Sequence, residues 1–188
     1  MPKIIGVTGT LGAGKRKITD YFVIKLGFEH VAVSDTFLQR EALRRRLIPN
    51  REARTNIANE FRAQGPTKLM EAVYALARPL IEAGDNVVIE PQHTVAEVEF
   101  IKSLGGVVLG VDADLRIRYA RIKERGGPKD HVSFEEFERV QAIQMASSDP
   151  NKNNLAAALA AADYHLTNNG TLAELYAQIE QALASIRE

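Results

Sequence analysis

Gly9, Gly14 and Lys15, in the segment GTLGAGKRK at residues 9–17, have the spacing of a phosphate-binding loop. In that pattern the backbone N–H groups of residues such as Gly9, Thr10, Leu11, Gly12, Ala13 and Gly14 surround a phosphate at the start of a helix, and the lysine reaches the β and γ oxygens of a nucleotide. The pattern then breaks. A serine or threonine hydroxyl that coordinates Mg²⁺ is expected just after the lysine, and Arg16 and Lys17 stand there instead. Neither cation can ligate a metal. Either they contact an anion directly, or they are solvated residues of the first helical turn, where they oppose the positive helix end by ~0.3–1 kcal/mol each.

Arg118, Arg121 and Arg125 are three and four residues apart and share one face if their segment is helical, with Arg116 and Lys123 flanking them and Glu124 and Asp130 as nearby acids. Such a cluster suits the charge that spreads over a transferring phosphoryl group. Asp35, Glu90 and Asp112 each follow a predicted strand, where ligands of open α/β sheets bind. Asp35 or Glu90 could orient an acceptor hydroxyl or hold metal-bound water; Asp112 and Asp114 are better placed to cap the arginine helix. Arg62, read as lying between two helices, grips an acceptor phosphate or pairs with Glu60. His93, in the loop after Glu90, is a candidate acceptor contact, while His30, His131 and His165 have no motif around them. No Ser-His-Asp set and no direct metal site is legible.

These residues need elements to position them. Residues 3–8, 30–34, 86–90, 106–112 and 163–166 read as short buried strands, each rich in apolar residues and closed by glycine, serine or acid. Helical spacing follows each of them: residues 17–27, then 36–46 broken by Pro49-Asn50, a helix from 51, a long one opened by Gly65-Pro66-Thr67, another at 95–104, the arginine helix from 115, and a terminal helix after Gly170-Thr171. Ser133 and Glu136 form a capping box for a helix over 133–148. Strands alternating with helices imply parallel pairing with helices on both faces, a three-layer α/β domain.

A chain of 188 residues with 45% apolar content predicts a single globular unit over 1–188. The 24 lysines and arginines balance the 24 aspartates and glutamates, so no global field draws the chain to nucleic acid or an anionic membrane, and the LRRRL run at 43–47 is too short to change that expectation. Absence of cysteine excludes disulfides and thiolate metal sites. No run approaches the roughly 20 apolar residues of a membrane span. A cytoplasmic protein, monomer or homodimer, is the expectation.

Taken together, GTLGAGK at 9–15, SD at 34–35, NREARTNIANEFRAQGP at 50–66, VIE with EVEF around 88–100, VDADLRIRYARI at 111–122 and ADYHLTNNGTLAELYAQIEQ at 162–181 resemble the P-loop nucleoside monophosphate kinase-like family, including its deoxynucleoside monophosphate kinase-like and dephospho-coenzyme A kinase-like members. The resemblance implies a P-loop NTPase fold with a five-stranded parallel sheet, acceptor-binding helices over about 36–83 and a lid over about 115–148 carrying Arg118, Arg121 and Arg125. It implies ATP as donor with Mg²⁺, Ser34 and Asp35 at the acceptor, and a nucleotide-contacting loop at Asn168, Asn169 and Gly170. The expected activity is ATP-dependent phosphotransfer to a small phosphate-bearing acceptor such as a (deoxy)nucleoside monophosphate. Arg16 and Lys17 depart from the family's GKGT or GKST. Gln92-His93 departs from its acid-x-x-arginine after the third strand. A nucleotide-binding or regulatory protein that keeps the fold with weakened catalysis is therefore the alternative.

Overall fold

The computed structural model describes residues 4–126, 132–145, 149 and 152–186. Five parallel strands, β1 (Ile4–Gly9), β2 (Glu29–Ala32), β3 (Val87–Gln92), β4 (Val107–Asp112) and β5 (Tyr164–Thr167), form one sheet in the order β2-β3-β1-β4-β5. The helices are α1 (Lys15–Asp20), α2 (Gln39–Arg44), α3 (Arg51–Gln64), α4 (Lys68–Glu82), α5 (Val95–Ser103), α6 (Leu115–Arg125), α7 (Phe134–Met145), α8 (Leu155–Ala160) and α9 (Leu172–Ile186). This is the three-layer α/β fold expected from the alternation of strand and helix patterns.

The period of two along each strand sorts side chains between two cores. Ile4, Val87, Ile89 and Val108 face one side, where they pack with Ile57, Leu69, Met70, Val73 and Ile101 from α3, α4 and α5. Ile5, Val7, Val88, Leu109 and Val111 face the other, with Ile18 of α1 and Leu175, Ile179 and Leu183 of α9. Burial on both faces explains why the strands read as continuous apolar runs.

Two elements differ from the sequence pattern. The second strand stops at Ala32, and Val33–Leu38 coils as a π-helical turn before α2, so Ser34 and Asp35 sit in a helical turn rather than at a strand tip. Likewise α1 continues through a π-helical turn at Tyr21–Lys25. The turn at Val33–Leu38 lines a cavity described below, in keeping with the tendency of π turns to occur at functional sites. Lys3, Asp130 and His131, and parts of the segment expected as a lid, lie outside the described residues.

All five strands point the same way, so the phosphate loop after β1, Glu90 and Gln92 on β3, Asp112 on β4 and Asn168 after β5 meet at one edge. β1 lies between β3 and β4, and the loop leaving it therefore sits over the crevice where α/β sheets bind ligands.

Candidate functional site

The loop between β1 and α1 is shaped by what touches it from outside. Gly14 has φ 105°, and a Cβ there would stand 2.3 Å from Asn168 Nδ2; one at Gly12 (φ 83°) would stand 2.7 Å from the Arg118 carbonyl oxygen. Only glycine permits both the left-handed backbone and the close approach. Those neighbours also hold the loop carbonyls. Asn168 Nδ2 donates to Ala13 O at 2.8 Å, and Arg118 Nη1 donates to Leu11 O at 3.3 Å. Because a trans peptide sets its N–H opposite its C=O, the amides of Gly12 and Gly14 face away from these contacts. Thr10 is anchored as well, donating from Oγ1 to Asp112 Oδ1 at 2.5 Å.

Lys15 opens α1 and folds back, donating from Nζ to Gly9 O at 2.8 Å and Thr10 O at 2.9 Å. Loss of hydration in the loop pushes its pKa down to about 8, with Arg118 and Arg125 acting in the same direction and Glu90 and Asp112 opposing. Arg16 and Lys17 are exposed; the Arg16 side chain is 90% accessible and stands 3.8 Å from Asp20.

Two cavities flank Lys15 and share Leu11 with it. The first, about 490 Å³, lies over the loop and is lined by Gly12, Gly14, Arg16, Lys17, Glu90, Arg121, Arg125, Asn168, Gly170 and the apolar Ile122 and Leu172. Arg121 is fixed there by donating from Nη1 to Asn168 O at 2.8 Å. The second, about 360 Å³, opens toward α3 and is lined by Ser34, Arg51, Arg54, Thr55, Arg62, His93, Gln144 and Asn153, together with apolar Val33, Leu38, Leu69, Pro91 and Leu155. Among the described residues no carboxylate lines this second cavity.

Its cations differ in how they are compensated. Arg62 is buried and donates from Nε to Glu97 Oε1 at 2.8 Å; Glu97 is itself fully buried and accepts the His93 N–H at 2.7 Å. Arg62 also reaches Asn153 Oδ1 at 3.2 Å. Arg54 pairs with Asp35 at 2.8 Å, whereas Arg51 has no ion-pair partner among the described residues. Burial, then Lys15 and Arg62, hold the His93 pKa down to about 3 against a hydrogen bond with Asn153. At neutral pH the imidazole is uncharged and still able to hydrogen-bond.

Several residues stand elsewhere than the sequence pattern indicated. Arg118 lines neither cavity. It is buried, and its guanidinium is occupied by Ala113 O at 2.8 Å, Leu11 O and Gln141 Oε1 at 2.5 Å, so the helical face shared with Arg121 and Arg125 splits at its first member, which turns under the loop. Asp35 is turned outward, its side chain 74% accessible and paired with Arg54, and it lines neither cavity. Of the two carboxylates considered at the reacting oxygen or a metal-bound water, only Glu90 faces a cavity, beside Lys15 and 3.3 Å from His30. Asp114 occupies the N-cap position of α6 but makes no cap; it accepts from Asn169 Nδ2 at 2.9 Å, and Asp112 turns to Thr10 and the Ala113 N–H. Arg62 lies inside α3 and pairs with Glu97; Glu60, two residues before it on the same helix, faces elsewhere and pairs with Arg45. Asn168 lines the loop cavity, yet its amide serves Ala13 and its carbonyl serves Arg121. Gln92 and His93 part company: Gln92 is fully buried on β3, and only His93 reaches a cavity.

Arg51, Arg54, Glu97, Gln144 and Asn153 were not singled out by sequence. A signal existed for three of them: positions 51, 54, 55, 58 and 62 fall on one face of a helix, and Thr94 with Glu97 has capping-box spacing.

Known proteins share this architecture. The model of the family described as AAA domain (AAA_18) matches residues 5–144. A UPF0200 protein of Thermococcus kodakarensis is 27% identical over 188 residues, spanning 97% of each chain. Among solved structures, TT1252 from Thermus thermophilus superposes with a TM-score of 0.62 at 22% identity, covering 98% of this chain and 97% of its own. Dephospho-CoA kinase from Campylobacter jejuni does so with a TM-score of 0.55 at 16% identity, covering 99% and 98%. The chain thus belongs to the AAA domain family, with the fold of the P-loop kinases.

Proposed function

We propose that this protein transfers the γ-phosphoryl group of ATP to a small phosphate-bearing acceptor, a (deoxy)nucleoside monophosphate being the acceptor class of choice. The observation that carries the reading is the pair of cavities with Lys15 on their common wall, one lined by the phosphate loop and the other lined, among the described residues, by arginines without a carboxylate. ATP occupies the loop cavity, with its β- and γ-phosphates against the amides of residues 10–15. Lys15 exchanges the Gly9 and Thr10 carbonyls for phosphate oxygens. The acceptor anion lies in the second cavity against Arg51 and Arg62, with His93 as an uncharged hydrogen-bonding wall. An acceptor oxygen attacks the γ-phosphorus as the bond to the β–γ bridging oxygen breaks, and ADP leaves. Arg121 and Arg125 neutralise the charge that spreads over the transferring group, a preorganised electrostatic role.

P-loop kinases generally use ATP with Mg²⁺. Here the position after Lys15 is an exposed arginine, and among the described residues no group of three His, Cys, Asp or Glu converges on one point. This donor set does not fit direct ligation of the ion by the protein, and among the described residues Glu90 is the one carboxylate that lines the loop cavity.

A single assay series tests the reading: ADP release from ATP in the presence of each nucleoside and deoxynucleoside monophosphate, with and without Mg²⁺. Release stimulated by at least one acceptor, and lost in Arg51→Ala with ATP affinity retained, is expected. ATP binding without stimulated release on any acceptor would instead support the second reading, a nucleotide-binding or regulatory protein. The exposed Arg16 in place of the hydroxyl favours that alternative.

A further inference from the structure

The second cavity is connected to the phosphate loop by a path that does not pass through Lys15. Gln144, half-buried on the last turn of α7, lines the cavity. Its Oε1 accepts from Gln141 Nε2 at 3.2 Å. Gln141, one turn earlier and buried, accepts from Arg118 Nη1 at 2.5 Å. The same Nη1 donates to the Leu11 carbonyl, and Gly12 lies against the Arg118 backbone so tightly that a Cβ would clash with it. Arg118 is also held by Ala113 O and stands 3.5 Å from Asp112, the carboxylate that anchors Thr10.

Buried polar side chains joined end to end in this way are costly unless every member is satisfied, and each amide here has a defined direction. Gln141 accepts on one side and donates on the other. A ligand that takes the Gln144 side chain as its own hydrogen-bond partner changes what Gln141 can hold, and with it the position of Arg118 against Leu11. We propose that Gln144, Gln141 and Arg118 form a relay that makes occupancy of the arginine cavity and the nucleotide-binding geometry of the loop depend on each other. Gln144 is the contact residue, and Gln141 and Arg118 are positioning residues. The proposal rests on the assignment of donor and acceptor cavities made above. Through linkage the coupling is reciprocal: whatever factor the acceptor applies to nucleotide affinity, the nucleotide applies to acceptor affinity. The coupling factor is the quantity that reads this dependence.

Titration calorimetry with AMP-PNP in the absence and presence of a saturating nucleoside monophosphate gives the coupling factor directly. A five- to twentyfold factor is expected in the wild type. Gln144→Ala, at a half-buried position, and Gln141→Glu, which keeps an acceptor for Arg118 but has no N–H for Gln144, should each bring it to within twofold of unity; AMP-PNP affinity measured alone should change by less than threefold in both, while Gln144→Ala also weakens the monophosphate by loss of its contact. A factor that persists in both variants overturns the relay, as does a wild type that binds both ligands independently. Failure of the wild type to bind any monophosphate while binding AMP-PNP overturns the acceptor assignment itself, and the relay with it.

Discussion

Lys15 is the residue on which both cavities depend, and its environment makes its charge sensitive to pH. Stripped of hydration, the ammonium titrates at about 8 rather than 10.5. An anion binds the protonated form, so ATP affinity should be constant below pH 8 and fall by up to about tenfold per unit above it. Calorimetric titration from pH 7 to 9.5 checks this, and Lys15→Arg, which keeps its charge, should flatten the profile. His93 titrates in the opposite setting. Its pKa is about 3 in the folded chain and 6.5 as an unperturbed group; between those values the unfolded chain binds a proton that the folded chain does not. Stability is therefore full above pH 6.5 and declines as pH falls toward 3, by about 2 kcal/mol at pH 5. Urea unfolding of His93→Gln should show a shallower acid loss than the wild type. The two cations after Lys15 invite a third experiment. Arg16→Ser with Lys17→Thr restores hydroxyls at the start of α1, and Mg²⁺ stimulation of ADP release should rise about tenfold or more. Unchanged or lower activity would show that the cations themselves serve the anion.

At the scale of elements, α3 supplies the arginines of the second cavity, and Glu97 is the side chain that ties α3 to α5 behind it. Its N–H donates to the Thr94 hydroxyl that caps α5, and its carboxylate pairs with Arg62 and accepts the His93 N–H. Removing it strands a buried guanidinium, and Glu97→Ala should destabilise the fold by about 3–5 kcal/mol in denaturant unfolding, far more than Glu60→Ala at an exposed pair. How much of this was legible in the chain depends on range. The loop was readable because Gly9, Gly14 and Lys15 are close in sequence and their chemistry is local. The strands were readable because burial on both faces leaves unbroken apolar runs. Arg118 was not, since the i, i+3, i+7 face says that three arginines share a side of α6, and only the packing of Gly12 on that helix decides which of them turns inward. Asp35 was misplaced for a similar reason: the turn at Val33–Leu38 rotates it outward toward Arg54, and a helical turn directly after a strand leaves no local signature.

For the whole molecule, the sheet order places β1 between β3 and β4, so that one loop receives groups from both halves of the chain. Asp112 and Asn168, far apart in sequence, meet at Thr10 and Ala13. Formal charge sums to zero over the 188 residues, yet the arginine cavity gathers Lys15, Arg51, Arg54 and Arg62 without an acid among its described lining residues. A local positive field of that kind concentrates small anions where the chain as a whole attracts none. The fold therefore supplies a crevice divided by a lysine, across which the proposed function has phosphoryl groups pass. ³¹P NMR of the wild-type protein with ATP and the monophosphate panel follows that transfer directly. Growth of a new phosphoanhydride resonance on one acceptor, matched by ADP and abolished in Lys15→Ala, is the predicted result. Consumption of no ATP, or its hydrolysis to ADP and inorganic phosphate at a rate indifferent to every acceptor, would contradict it.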